Sequence, residues 1–227
     1  MPEVLVLCEG QTEREFCRSV LGGHLAAHGV DLAGTLVGKP QHKQGGIRPW
    51  TVYRRELLRL AGERDDRYVG LLVDYYGMPP SWPGRGDAPT MPVQKRGAHV
   101  ETRLRASLER KLGERFLPCV QLHEFESLLF VDPKATAETV AVAGGASSAA
   151  SGAGRLRKIK DDFCGDVEAI DDSPRTAPSK RIQSVFRGYN KVAWGVQAAK
   201  DVGVETLRAG CAWLDRWLTR LQSIGER

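Results

Sequence analysis

Three mainly apolar runs of strand length organise the first half of the chain. They cover residues 4–8, 68–73 and 116–122. A half-exposed strand alternates polar and apolar positions, whereas a strand buried on both faces is apolar throughout, so we predict strands of a parallel sheet. Helical stretches separate the runs, as the crossovers between parallel strands require. The pattern therefore predicts an α/β fold with a mostly parallel sheet flanked by helices.

The segments between these strands have the periodicity of amphipathic helices. Apolar residues recur at three- and four-residue steps over 50–60 and at four-residue steps over 100–112, which places them on one face of a helix. A further helix is expected to start at Thr12, because Thr12 and Glu15 form a T-x-x-E capping box. The Gly22-Gly23 pair is expected to end that helix.

The chain changes character after the third predicted strand. Residues 140–154 are rich in Ala, Gly and Ser and predict a mobile loop or linker, and a dense basic run follows at 155–160. From Pro178 onward the pattern is helical, with Trp213 and Trp217 one turn apart. We favour these tryptophans as core or interface anchors over base-stacking platforms. The expected organisation is a core at 1–135, a flexible linker and charged segment at 136–177, and a C-terminal helical region packed on the core at 178–227.

Composition narrows the class of protein. The 227 residues are 41% hydrophobic, which is enough to bury one sizeable core. No long apolar segment and no basic-then-apolar leader follows Met1, so we expect a cytoplasmic protein that neither spans a membrane nor is secreted. Five widely spaced cysteines without a C-x-x-C motif suit reduced thiols. The net charge of +5 favours an anionic partner such as nucleic acid without specifying one.

Acidic side chains stand where two of the predicted strands end. Glu9 follows the first strand, and Asp74 follows the second. Because open α/β sheets bind ligands beyond the carboxyl ends of their strands, we expect these two carboxylates to approach each other and to share one divalent ion. Glu13, on the helix that follows, points into the same crevice in this interpretation. The alternative is a capped helix that carries surface acids.

A third acidic segment follows the third strand. Glu124 and Glu126 alternate about Phe125. In an extended segment both carboxylates would face the same way, whereas in a helix they would diverge and only one could bind a metal ion. We expect Glu124 to be the ligand and Glu126 to support the structure. His123 is either a general base or phosphate donor, or a structural residue.

Five segments, in this order, resemble one uncharacterised bacterial family. They are CEGQTE at 8–13, VDYYGMP at 73–79, LHEFESLLF at 122–130, PSKR at 178–181, and a late segment with Gly203, Leu207, Arg208, Cys211, Trp217 and Leu218. The chain is similar to the Toprim-related family known as domain of unknown function 4276. The resemblance implies a Toprim-like α/β core, related to the nuclease domains of overcoming-lysogenization-defect proteins. It also implies genetic association with ABC-type ATPases in phage defence.

The resemblance further assigns roles to the strand-end acids. Toprim sites have a glutamate after the first strand and an Asp-x-Asp pair after a later one, which together hold Mg²⁺, and we expect Mn²⁺ to substitute. Glu9 matches the glutamate and Asp74 the first aspartate, but Tyr76 stands where the second aspartate would be. A second metal ion would therefore need other oxygen ligands. The candidates for this role are Glu13, Glu124 and Glu126. In our hypothesis, one of the last two replaces the missing aspartate.

The chemistry expected of such a site is phosphodiester hydrolysis, in which metal ions activate a water and stabilise the leaving oxygen. Lys180 and Arg181, near a predicted helix start, either contact a phosphate or are solvated cations. One candidate function is a Mg²⁺-dependent nuclease that acts on DNA or RNA under the control of an ABC-type ATPase. The other is a non-catalytic binding or regulatory subunit of such a complex. We favour the nuclease.

We also expect the protein to work in an assembly, either as a homodimer or with the ATPase. An unregulated nuclease would be toxic to its own cell. In addition, Trp213 and Trp217 supply aromatic surface of the kind that is enriched at protein interfaces. The competing interpretation is that both tryptophans cover the core.

Overall fold

The three predicted apolar runs form strands of one parallel sheet, together with a fourth strand. The computed structural model describes residues 1–38, 46–144, 148–170 and 176–226. The strands are β1 (Glu3–Cys8), β2 (Asp31–Leu36), β3 (Tyr68–Asp74) and β4 (Phe116–Gln121). Their order is β2-β1-β3-β4, and every neighbouring pair is parallel. The predicted fold class is therefore confirmed: an α/β fold with a parallel sheet flanked by helices and a helical C-terminal region.

Residue contacts divide the chain into two units. The first combines Met1–Leu122 with Arg216–Arg227 and contains the whole sheet, and the second is His123–Asp215. The sequence analysis placed its first boundary at 135, whereas the chain leaves the first unit directly after β4.

Strand β2 was not predicted from the sequence. It contains Gly34, and its residues Asp31 and Ala33 are exposed, so it lacks the uniform apolar character of the other strands. Gly34 is required by close packing, because a Cβ atom at this position would lie 2.9 Å from the carbonyl oxygen of Arg14. The absent side chain lets the first helix lie directly against the edge strand.

The first helical segment differs from its prediction at both ends. Helix α1 (Gln11–Phe16) begins one residue early, and no side chain caps it, so the predicted capping box does not form. The predicted stop at Gly22-Gly23 is also wrong, since one π-helical turn (Cys17–Leu21) leads directly into α2 (Gly22–Ala26). A Cβ atom on Gly22 would lie 3.4 Å from the carbonyl oxygen of Leu32. This glycine therefore serves close packing against β2 instead of termination.

The two amphipathic helices are present as predicted. They are α3 (Trp50–Gly62) and α4 (Val93–Leu112), and their apolar stripes are buried in the core of the first unit. Helix α4 also protects the edge strand β4, since Glu101 Oε1 accepts a hydrogen bond from the backbone N–H of Val120 at 3.0 Å. Capping an outward-facing amide of an edge strand removes a site where another strand could pair.

The Pro- and Gly-rich segment between β3 and α4 is anchored by Trp82. This side chain is 2% exposed, and its indole Nε1 donates to the carbonyl of Arg48 at 2.9 Å. Its ring also contacts the rings of Trp50 and Tyr53, with centroids 5.2 and 4.9 Å away. The loop that follows β3 is thus fixed at its centre by aromatic packing.

The second unit is helical where the sequence predicted a linker. Within 136–177, helices α5 (Pro133–Gly144) and α6 (Ala149–Asp162) account for most of the described residues. The side chain of Ser148 caps α6 by accepting from the N–H of Ser151 at 3.2 Å. Gly152 lies against the ring of Phe186, where no side chain would fit. The small residues that suggested a loop therefore permit tight packing of a helix.

The C-terminal region is helical, as predicted. Its α-helices are α7 (Pro178–Val185), α8 (Val196–Val202), α9 (Val204–Gly210) and α10 (Ala212–Gly225). Trp213 and Trp217 are only 4% and 3% exposed, so they serve as core anchors and do not form an open interface. The indole Nε1 of Trp217 donates to the carbonyl of Leu117 at 3.3 Å. In the part of the chain that the structure describes, no helix is long and apolar enough to cross a membrane.

Candidate functional site

Glu9 and Asp74 meet at the carboxyl ends of the two central strands. Strands β1 and β3 are direct neighbours, with Cys8 opposite Leu72. The carboxylate Oε2 of Glu9 accepts a hydrogen bond from the backbone N–H of Asp74 at 3.0 Å. In turn, the backbone N–H of Glu9 donates to the carbonyl of Leu72 at 3.0 Å. The structure thus brings these two predicted site residues together, and their sharing of a divalent ion stays a prediction.

Gln121 fixes the orientation of the Asp74 carboxylate. It ends β4, is 1% exposed, and donates a hydrogen bond from its side-chain Nε2 to Asp74 Oδ1. Its backbone carbonyl also accepts from the N–H of Tyr75 at 2.7 Å. A buried amide that holds a carboxylate restricts where a bound cation could sit.

Glu13 lies in the same region of the first unit. It is carried by α1 and is only 8% exposed. A Cβ atom on Gly10 would lie 2.9 Å from Glu13 Oε2, so the glycine leaves room for this carboxylate at the start of the helix. The negative charge of Glu13 also helps to raise the pKa of Cys8, after burial and the neighbouring thiol of Cys17. Glu13 is therefore close to the end of β1, as the sequence analysis expected.

The hydroxyl of Tyr53 faces these acids from α3. Tyr53 is fully buried, and within the described residues its hydroxyl has no hydrogen-bond partner. Its pKa is raised well above the ordinary value, mainly by burial and then by the negative charge of Glu9. Cys8 and Glu13 add to this effect, and Arg48 opposes it. The sequence assigned Tyr53 to the core, but its polar end belongs to the site.

Glu9 and Asp74 carry the carboxylate oxygens that a hard cation prefers, and their binding of such an ion stays a prediction. Among the described residues, no three potential ligands lie close enough together to hold a metal ion. Mg²⁺ is commonly held by one or two carboxylates, with waters and substrate phosphates completing its octahedral shell. Two carboxylates at adjacent strand ends therefore suffice for a single ion. Tyr76, which the sequence resemblance matched to the second Toprim aspartate, is 53% exposed.

Glu124 and Glu126 converge on one lysine of the second unit. The segment forms a short 3₁₀ helix, Phe125–Phe130, with Glu124 at its N-cap in an extended conformation. The two carboxylates face the same group, since Lys191 Nζ lies 3.2 Å from Glu124 Oε1 and 3.3 Å from Glu126 Oε2. Glu124 precedes the helix, which is why it can reach the same ammonium group.

Burial and charge act differently on these two carboxylates. Burial raises the pKa of Glu126 to about 7, although the charge of Lys191 opposes the shift. Burial acts in the same direction on Glu124, but the Ser179 N–H and the Lys191 ammonium outweigh it and lower the pKa of Glu124. Glu126 is 1% exposed, and its Oε1 has no hydrogen-bond partner in the described part of the chain. Glu126 is thus the buried member of the pair, whereas the side chain of Glu124 is 31% exposed.

Lys180 and Arg181 lie on α7, where the sequence predicted a helix start. Lys180 is exposed, and its ammonium is 3.4 Å from Gln183 Oε1. Arg181 donates from Nε to the carbonyl of Thr176 at 2.7 Å, and its guanidinium lies over the ring of Phe163. Arg181 thus serves the structure of the second unit. Lys180 remains available to an anionic ligand.

A family model described as "Domain of unknown function (DUF4276)" matches residues 8–222. The chain belongs to the DUF4276 family. The matched residues of this DUF4276 protein include Glu9 and Asp74 as well as Glu124 and Glu126. No match was found among curated proteins. Among solved structures, the chain is similar to the C-terminal region of the OLD protein of Xanthomonas campestris pv. campestris, at 16% identity and a TM-score of 0.45, covering 98% of this chain and 95% of that one.

Several site residues of this DUF4276 protein were missed in the sequence. Their signals were weak, because each contact joins distant positions: 47 residues separate Gln121 from Asp74, and 65 separate Lys191 from Glu126. One usable signal was a glutamine at the end of the otherwise apolar strand β4. For Lys191, the local segment gave no comparable indication.

Proposed function

We propose that this DUF4276 protein is a divalent-cation-dependent nuclease that hydrolyses phosphodiester bonds in DNA or RNA. The observation that supports this most directly is the placement of Glu9 and Asp74 at adjacent carboxyl ends of the central strands, 3.0 Å apart from Oε2 to N. Open parallel sheets bind their ligands at this edge. The net charge of +5 suits a polyanionic substrate.

In this proposal Glu9 and Asp74 hold one Mg²⁺ or Mn²⁺ ion, with Glu13 as a further candidate ligand. When bound, such an ion polarises the scissile phosphate and lowers the pKa of a coordinated water. The backbone N–H of Asp74 orients the Glu9 carboxylate, and Gln121 orients that of Asp74. Tyr53 is a phenol, which is protonated at neutral pH even at its ordinary pKa, so its hydroxyl can donate a hydrogen bond.

The biological role proposed here is that of a cytoplasmic phage-defence effector controlled by an ABC-type ATPase. Its support is the sequence resemblance to the nuclease domains of overcoming-lysogenization-defect proteins. Size-exclusion chromatography with light scattering, on the protein alone and co-expressed with an ATPase encoded by a neighbouring gene, tests the assembly. A homodimer or a complex is expected, and a strict monomer in both preparations would contradict it.

A specific observation favours the alternative of a non-catalytic binding subunit. Tyr76 occupies the position of the second aspartate, and the described residues include no three-ligand cluster. A protein that binds nucleic acid but cleaves neither DNA nor RNA with Mg²⁺ or Mn²⁺ would support this alternative.

Cleavage assays on matched variants test the nuclease. Labelled single-stranded and duplex DNA and RNA are incubated with the full chain and Mn²⁺, with and without a chelator. Glu9→Gln should reduce cleavage by about a hundredfold or more, because the ion loses a charged ligand. Glu15→Gln is the control, since Glu15 lies on the helix that follows Glu9 but pairs with Arg18 at the surface. A Glu9→Gln variant that cuts as well as the parent would remove the site from the mechanism.

A further inference from the structure

One lysine forms ion pairs with two glutamates of the second unit. Lys191 Nζ lies 3.2 Å from Glu124 Oε1 and 3.3 Å from Glu126 Oε2. The other oxygen of Glu124 accepts from the backbone N–H of Ser179 at 2.9 Å. Three of the four carboxylate oxygens therefore have partners. The fourth, Glu126 Oε1, is buried and has no well-aligned partner among the described residues, although Glu126 is close enough to the Tyr189 hydroxyl to help raise the pKa of that phenol.

The ammonium group lies where a hard cation would bind these carboxylates. A lysine and a divalent ion compete for the same oxygens, and the lysine is covalently tethered beside them at a high effective concentration. Its positive charge also repels a divalent ion within a few ångströms. With Lys191 in place, the pair is therefore a poor site for a divalent cation.

The surrounding backbone keeps Lys191 at this position. Lys191 begins a single π-helical turn, Lys191–Gly195, a rare conformation that is frequent at functional sites. The turn is capped by the side chain of Asn190, which accepts from the N–H of Ala193 at 2.9 Å. Tyr189, 6% exposed, has its hydroxyl packed against Gly195 and lies within the field of both glutamates. A capped π-helical turn thus holds the lysine beside the two glutamates.

We propose that Lys191 is the built-in cation of the Glu124–Glu126 pair, and that this pair binds a divalent ion only when Lys191 is removed. This proposal replaces the hypothesis that one of these glutamates supplies the ligand lost at Tyr76. It goes beyond the proposed nuclease function, because it concerns the second unit alone and holds whether or not Glu9 and Asp74 bind an ion. The chain then binds fewer divalent ions than would be expected if every acidic pair held one.

Calorimetry and electron paramagnetic resonance can count the Mn²⁺ ions bound to the full chain. In the parent background, Glu124→Gln should leave the number of bound ions unchanged. Lys191→Met should add one Mn²⁺ per chain, and adding Glu124→Gln to Lys191→Met should abolish that gain. Lys180→Met is the matched control, since Lys180 is an exposed lysine whose ammonium contacts Gln183, and it should bind as the parent does.

Two results would overturn the proposal. One is a loss of bound Mn²⁺ caused by Glu124→Gln alone, and the other is a folded Lys191→Met variant that binds no additional ion. Circular dichroism checks folding, and Lys191→Gln replaces the methionine variant if that one does not fold. If neither lysine variant folds, the Glu124→Gln result decides. Failure of the proposed nuclease is distinguishable, because it shows as a parent that binds no Mn²⁺ or cuts no nucleic acid.

Discussion

Glu9 accepts a hydrogen bond from the backbone amide of Asp74, 3.0 Å away across two neighbouring parallel strands. The contact uses one carboxylate oxygen of Glu9 and none of the Asp74 side chain. It therefore orients the Glu9 carboxylate at the end of β1. Because each residue stands at a strand end, the sheet itself sets their separation.

Replacing Gln121 with leucine should weaken cation binding without abolishing folding. Gln121 is buried and donates to the Asp74 carboxylate, and loss of such a supporting contact commonly lowers metal affinity by roughly 10- to 100-fold. Calorimetry with Mn²⁺ measures the effect. Gln183→Leu, on α7 in the second unit, is the control. Unchanged affinity in Gln121→Leu would show that Gln121 does not position the ligand.

Tyr76→Asp should strengthen cation binding, because it restores an aspartate two residues after Asp74. The side chain is 53% exposed, so the substitution should have little effect on folding. We expect Mn²⁺ affinity to rise by about tenfold, together with faster cleavage. Tyr76→Asn removes the ring without adding a charge and should show a smaller gain. Equal affinities in the parent and the aspartate variant would contradict the assignment of this loop to the site.

Glu101 should make folding stability depend on pH. Burial raises its pKa to about 7 from an ordinary 4.5, while the Val120 N–H, Arg216 and Arg220 oppose the shift. Arg105 also lies 3.8 Å from its carboxylate. Below pH 4.5 Glu101 is protonated in both the folded and the unfolded state, so it lowers the folding stability by nothing. As pH rises to 7 only the unfolded state releases the proton, so stability is lost, up to roughly 3 kcal/mol.

Glu101→Gln tests this dependence, because glutamine keeps an acceptor for the Val120 N–H but does not ionise. Urea unfolding from pH 4.5 to 7.5 should show the variant gaining stability relative to the parent as pH rises. Glu109→Gln changes an exposed residue on the same helix, and its stability should depend on pH as that of the parent does. A constant difference between Glu101→Gln and the parent would refute the buried-carboxylate explanation.

Two glycines of α6 should respond oppositely to alanine. Gly152 is buried against the ring of Phe186, so a methyl group there would overpack the second unit and cost about 1–3 kcal/mol. Gly154 is exposed with no atom within 4 Å of an added Cβ, so alanine there should stabilise by roughly 0.5–1 kcal/mol. Urea unfolding compares the two variants. Equal effects would argue against a packed helix in this segment.

Sequence patterns predicted the elements whose burial shows as a run of apolar residues and missed those whose packing leaves no such run. Strands β1, β3 and β4 were recognisable because burial on both faces leaves an uninterrupted apolar run. Strand β2 was not recognisable, because its exposed residues interrupt the apolar run. The role of Gly34 depends on contact with a helix, which the sequence of the strand does not show. Gly152 of α6 misled for a similar reason, because its role depends on contact with Phe186.

In the candidate site, too, some residues were predictable from the sequence and others were not. Glu9 and Asp74 were predictable, since the ends of parallel strands fall at one edge whatever the helices do. The partners of these acids were not, because Gln121 and Tyr53 reach them only through the tertiary fold. The pairing of Lys191 with Glu124 joins positions 67 residues apart. Such contacts follow no sequence period.

A crystal structure of the full chain soaked with Mn²⁺ tests most directly whether Glu9 and Asp74 form a metal site. Anomalous scattering locates the ion independently of any assumption about its ligands. The expected result is one strong peak within coordination distance, about 2.0–2.3 Å, of carboxylate oxygens of both Glu9 and Asp74. A fully soaked crystal with no peak at these residues, or with its strongest peak elsewhere, would contradict the proposed site.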